Sequence, residues 1–339
     1  MNSDQNRIGR AFLSNLDTIA TDLVHRFGLK HEQKTETLND SLLRWLDFRL
    51  RYIDPKPRKV FLSNKFRKEK SQDFSHALGY MIDLIQRGQN LNPYQGEGLI
   101  LHDDISGRKR QKRTDLLWAD WGIIHLHLTE APISETRYFS KRSDWLLFGI
   151  PGDDFFAVID VRHHDFSNPE LMKIMVESWP EMMERFEVKG IAPQDEADVL
   201  DPKEHARLRK SGVSALMTIG GKVYMGPGIG ISTASTPLRV TRKMDTARKY
   251  VRQLVSDVCM SDGRFQAELH ADGIEDPCLS LCMTPRGMAV YELHSDKAWL
   301  LPRKKACSES NYLADLHDLV APEWATERLF ASGQDAVCH

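Results

Sequence analysis

Apolar positions recur at spacings of three and four from the start of the chain. Ile8, Phe12, Leu13, Leu16, Ile19, Leu23 and Phe27 trace one stripe of an amphipathic helix, and Gly28 is placed to end it. A second helix is predicted over 38–52, carrying Leu42, Leu43, Trp45, Leu46, Phe48 and Leu50, with Pro55 and Pro57 to stop it. A third follows over 71–87 on Phe74, Leu78, Met81, Ile82 and Ile85. Residues 88–113 hold Gly88, Pro93, Gly96, Gly98 and Gly107 and read as a loop-rich connection.

The period then shortens. Residues 118–128 (WADWGIIHLHL), 145–150 (WLLFGI) and 155–161 (FFAVIDV) are short β-branched and aromatic runs, the habit of strands. Pro151-Gly152-Asp153-Asp154 joins the last two as an antiparallel hairpin. A helix is expected from Pro169 to about residue 178, capped by Asn168, with a further turn from Pro180 through Phe186. An acidic segment (Asp195, Glu196, Asp198, Asp201, Glu204) leads to a glycine-rich run over 217–237. Beyond it the pattern predicts a helix over 240–260, a hairpin over 278–293 and one or two short helices over 310–332. The whole reads as an α+β protein of three domains: a basic helical domain 1–113, a central antiparallel-sheet α+β domain 114–237 with the candidate site, and a C-terminal α+β domain 238–339.

Composition narrows the class. With 339 residues, 41% hydrophobic and 28% charged, wholesale disorder is excluded. No run approaches eighteen apolar residues, so no membrane span is expected, and MNSDQNRIGR lacks the apolar core of a secretion signal. The expected compartment is the cytoplasm, which an odd number of cysteines, five, also fits. The net charge of −2 conceals a split: residues 1–113 carry 21 Lys plus Arg against 14 Asp plus Glu, and the remainder carries 25 against 34.

Two basic clusters make that split. One holds Lys56, Arg58, Lys59, Lys65, Arg67, Lys68 and Lys70; the other is Arg108-Lys109-Arg110-Gln111-Lys112-Arg113. Such clusters attract polyanions by releasing condensed counterions, so a nucleic-acid partner is predicted, RNA favoured. The acidic C-terminal part would suit a protein partner. A solvated surface, balanced by acids elsewhere in the fold, would produce the same arithmetic.

The sharpest chemical feature is His125-Leu126-His127. On a strand both imidazoles project from one face, while Ile124, Leu126 and Leu128 take the other, toward the core. In Asp160-Val161-Arg162-His163-His164-Asp165 the same alternation sends Asp160, Arg162 and His164 outward. Two chemistries compete. In one, an imidazole removes a proton from a ribose 2′-hydroxyl, a second protonates the leaving 5′-oxygen, and Arg142 or Arg162 stabilises the charge on phosphorus. It involves neither metal nor cofactor, and its catalytic residues are His125, His127, Arg142 and His164. In the other, His125, His127, Asp160 and His164 ligate a divalent ion that activates water. The run Gly226-Pro227-Gly228-Ile229-Gly230 matches neither dinucleotide nor P-loop spacing and reads as a tight loop, and Cys278 and Cys282 are misplaced for a zinc knuckle.

The runs DWGIIHLHL, RSDWLLFGI and AVIDVRHHDF together resemble the central sheet of RelE-superfamily RNase toxins and of metal-independent RNases with barnase- or EndoU-like sheets. The similarity covers residues 116–170 and rests on strand order and on the placing of basic and imidazole groups. It implies RNA cleavage of the bacterial toxin or phage-defence kind through His125, His127, Arg142 and His164. The return strand leads into Arg162-His163-His164-Asp165, where the toxins commonly have a Lys-rich segment. Three expectations stand: an RNA-cleaving or RNA-binding protein, a non-enzymatic nucleic-acid- or protein-binding module, and a metal-dependent hydrolase.

Overall fold

The apolar stripe of the first 27 residues forms a helix because it has something to bury against. In the computed structural model α1 (Ser3–Arg26) places Phe12, Leu16 and Leu23 in the core, and Gly28 leaves it at φ 61°, a left-handed stop that costs glycine nothing. Residues 3–32, 38–68, 74–130, 133, 137–164, 169–193, 201–304 and 311–331 are described. Asn168, Asp165, Asp195, Glu196, Asp198 and Lys70 lie outside them, as do the side chains of Arg67 and Lys68.

The elements follow in order. After α1 come α2 (Ser41–Arg51), β1 (Lys59–Leu62), α3 (Asn64–Lys68) and α4 (Ser75–Gln86). The middle of the chain supplies α5 (Leu116–Trp121), β2 (Ile124–His127), β3 (Leu146–Pro151), β4 (Phe155–Arg162), α6 (Glu170–Ser178) and α7 (Pro180–Met183). Next are α8 (Pro202–Lys210), β5 (Met217–Ile219), β6 (Lys222–Tyr224), α9 (Leu238–Val258) and α10 (Arg264–Ala271). The last are β7 (Leu279–Thr284), β8 (Gly287–Glu292), β9 (Lys297–Leu300), α11 (Tyr312–Val320) and α12 (Glu323–Phe330). The fold is α+β. No helix among the described residues is long and apolar enough to cross a membrane.

Contacts divide the chain into two units, residues 50–240 and residues 1–49 with 241–339. These differ from the expected divisions after 113 and 237, because the basic stretch 51–113 packs with the sheet rather than with the first helix. In the discontinuous unit, α1 packs on the three-stranded antiparallel sheet β7-β8-β9. Phe27, Trp45, Phe48 and Trp324 form an aromatic cluster with ring centroids 5.3–6.3 Å apart, and the Trp45 indole donates to the Val320 carbonyl at 2.7 Å.

The unit 50–240 is built on a four-stranded sheet of order β1-β4-β3-β2. The expected hairpin is β3–β4, turned at Gly152, whose N–H reaches the Phe155 carbonyl at 2.8 Å. The sheet is mixed, not purely antiparallel. β1, drawn from the basic stretch, pairs parallel to β4, so β4 is a central strand buried on both faces. The expected outward face of β4 is thereby corrected: Asp160 is 3% exposed. Residues 118–121, expected in a strand, are instead the end of α5, where Asp115 caps the start and Gly122 (φ 71°) the end.

Candidate functional site

β2 is an edge strand, and register fixes what its histidines face. His125 lies opposite Phe148, which lies opposite Asp160; His127 lies opposite Leu146, which lies opposite Arg162. Opposed residues share a face. Leu146 and Phe148 belong to the core under α6, with Leu171, Met172 and Met175. The histidine face is therefore no open surface, and His127 is only 6% exposed. Both rings instead border a cavity of about 210 Å³ at the sheet edge.

The structure brings all four candidate catalytic residues to that cavity. The rings of His125 and His127 are 6.4 Å apart between centroids, and those of His127 and His164 are 5.8 Å apart. His164 arrives from the end of β4, and Arg142, 79% exposed in its side chain, stands at the rim. Two serines beside Arg142 are tied to the site: the Ser140 N–H donates to the Pro93 carbonyl at 3.0 Å, and His127 Nδ1 lies 3.3 Å from both the N and the O of Ser143.

Four further charged residues line the cavity and were not singled out from sequence: Asp115, Glu97, Arg51 and Asp103. Asp115 caps α5, one carboxylate oxygen accepting from the N–H groups of Leu117 (2.9 Å) and Trp118 (3.1 Å), while the other lies 3.4 Å from His125 Nδ1. Burial alone would raise the Asp115 pKa; the hydrogen bond and charge of His125, the Trp118 N–H and Arg51 outweigh it and hold this carboxyl below the ordinary aspartate range. Glu97 lies 3.3 Å from His102 Nε2 and 3.8 Å from the Arg142 guanidinium. Arg51 and Asp103 pair at 2.9 Å. Asp115 could have been read as an N-cap from its place before LLWADWG. Nothing in sequence points to Glu97, which owes its position to the glycines on either side.

The loop carrying Glu97 is pinned from below. Buried Asn92 exchanges hydrogen bonds with the backbone of Ile53 (2.8 Å each), and Gln95 donates to the Arg51 carbonyl (3.0 Å). Gly96, at φ 85°, passes so close to His127 that a Cβ would come within 3.4 Å of Nε2. Burial then depresses the His127 pKa to about 4, helped by the nearby charges of His125, His164 and Arg142 and opposed only by Ser143. His127 is neutral at physiological pH.

The expected metal set does not assemble. Two strand spacings, about 10 Å, separate Asp160 from His125 along the sheet. The Asp160 carboxylate faces Lys65 at 3.0 Å and pairs with the Arg162 guanidinium. Among the described residues no three His, Cys, Asp or Glu side chains are grouped to hold a metal ion.

The basic clusters are partly structural. Arg58 is buried and donates to the carbonyls of Gly152 (2.9 Å), Asp54 (2.7 Å) and Lys56 (3.1 Å), tying β1 to the hairpin turn. Arg113 is buried and donates to Gly107 (2.8 Å) and Ala234 (2.5 Å). The placing of these two at a nucleic-acid surface is corrected, since internal carbonyls hold their guanidinium groups. Lys56 lies 3.6 Å from Asp153. Lys59, Arg108, Lys109, Arg110 and Lys112 are exposed, Arg110 bonding the Thr233 carbonyl. The regional charge split also dissolves: unit 50–240 holds 27 Lys plus Arg against 26 Asp plus Glu, because its 50–113 part (14 against 7) folds with 114–240 (13 against 19).

The glycine-rich run proves to be scaffold for α5. The N–H groups of Gly228 and Gly230 donate to the Asp120 and Ala119 carbonyls at 3.1 Å each, so neither is available to cradle a phosphate. Comparison with models of known protein families, with curated proteins and with solved structures finds no match.

Proposed function

We propose that the cavity beside β2 cleaves RNA by acid–base chemistry on a phosphodiester. The observation that carries this reading is the arrangement of three imidazoles in one cavity, one backed by an ionised carboxylate and one held neutral, with a guanidinium at the mouth. His125 removes the proton of a ribose 2′-hydroxyl, and the Asp115 carboxylate stabilises the imidazolium that forms. The 2′-oxygen attacks phosphorus and the bond to the 5′-oxygen breaks. His164, on the other side of His127, gives its proton to that leaving oxygen. Neutral His127 hydrogen-bonds a phosphoryl oxygen, and Arg142 offsets the charge that develops there. The products are a 2′,3′-cyclic phosphate and a 5′-hydroxyl.

The resemblance to RelE-superfamily and related RNases read in the sequence of residues 116–170 implies the same chemistry. The test is purified protein incubated with total RNA in excess EDTA. Cleavage is expected, with His125→Ala and His164→Ala each slowing it about 10²- to 10⁴-fold. Salt-sensitive RNA binding with no cleavage would leave a binding module in its place.

A further inference from the structure

A second cavity of about 370 Å³ adjoins the first. The two share Asp103, Asp115 and His125, so His125 stands at their junction. We infer that this second cavity seats the nucleotide next to the scissile bond, so that the substrate is single-stranded RNA lying across both. The inference rests on the proposed chemistry of the first cavity and adds the substrate's form to it.

The lining suits a nucleotide. Half-buried Leu116 offers apolar surface for the face of a base, and exposed Gln111 brings an amide for its edge. Lys210, exposed at the end of α8, supplies a cation at the wall, and Gln111 belongs to the exposed basic run that holds Arg108, Lys109 and Lys112. The two carboxylates at the junction are compensated, Asp103 by Arg51 and Asp115 by His125 and the first N–H groups of α5. They do not repel a phosphate as bare acids would. The far wall is rigid: Arg209 pairs with Asp120 at 2.9 Å and lies 4.2 Å over the Trp121 ring. A base can enter a concave seat only when it is unpaired, so a duplex is excluded.

The experiment uses the full chain and an octanucleotide with 2′-fluoro sugars, uncleavable because it lacks the attacking hydroxyl. Its binding is followed by fluorescence anisotropy in EDTA, beside cleavage of RNA of the same sequence. Lys210→Glu and Gln111→Ala, both at exposed positions, are expected to weaken binding about five- to tenfold and to raise KM more than they lower kcat. The annealed duplex is expected to bind about tenfold more weakly than the single strand. Binding unchanged in both variants, or a duplex bound as tightly as the single strand, overturns the inference. Cleavage that ignores both variants removes the seat and leaves the chemistry; binding that depends on Lys210 without cleavage leaves the seat and removes the chemistry. No binding at all removes both.

Discussion

At the scale of single residues, Asp115 has two duties that substitution can separate. Asparagine caps a helix as well as aspartate, so Asp115→Asn should keep the cap and lose only the charge facing His125 and Arg51, while cleavage falls at least about tenfold. Asp115→Ala should lose the same activity and about 1 kcal/mol of stability as well, read by urea unfolding. His127 carries a pH signature. Its folded pKa of about 4 lies below the ordinary 6.5, so between those values the unfolded chain takes up a proton that the folded chain refuses. Stability therefore falls as pH drops from 6.5 toward 4, by up to about 3 kcal/mol from this residue. Urea unfolding at pH 7 and pH 4.5 should show a smaller loss for His127→Gln than for the native chain; equal losses would contradict the assignment.

At the scale of elements, the site depends on α5 starting and ending where it does. Its start holds Asp115 against His125, and its end is gripped by the glycine loop. A Cβ at Gly226 would lie 2.2 Å from the Asp120 carbonyl oxygen, and one at Gly228 would lie 2.3 Å from that of Ala119. Gly228→Ala should cost about 3 kcal/mol or more and disturb the cavity through α5. Gly221, at φ 74° with nothing near its Cβ position, should cost only about 1–2 kcal/mol on the same change. Urea midpoints of the two variants test the contrast. Elements with strong periodicity or turn chemistry were legible in sequence: α1, α6, α9, the β3–β4 hairpin around Gly152, and the β7–β8 hairpin. Those that depend on distant partners were not. β1 is four residues of a basic stretch that become a strand only because β4 offers an open edge. In α5 two tryptophans before a strand imitate its pattern, although Asp115 and Gly122 mark the helix ends.

At the scale of the whole molecule, charge counted along the chain and charge counted by folded unit differ. The excess on residues 51–113 meets the acids of 114–240 within one unit, partly as the pairs Lys65–Asp160 and Lys56–Asp153. Histidine alternation along β2 was legible; that the histidine face continues into the core under α6 and borders a cavity was not, because Leu146, Phe148 and α6 lie far from β2 in sequence. What remains exposed at Arg108, Lys109 and Lys112 should act as a sum of phosphate contacts. Changing all three to Gln should lower the slope of log K against log salt for single-stranded RNA by about 2 and leave the melting temperature unchanged. Arg58→Gln should do the reverse, lowering the melting temperature, since the carbonyls of Gly152, Asp54 and Lys56 lose their donor.

The most direct test of the whole account is the chemistry of the cut ends. RNA digested by the protein in excess EDTA should carry 2′,3′-cyclic phosphates and 5′-hydroxyls, and the His125→Ala protein should produce neither above background. Ends bearing 5′-phosphates, dependence on a divalent ion, or a His125→Ala protein as fast as the native one would contradict it.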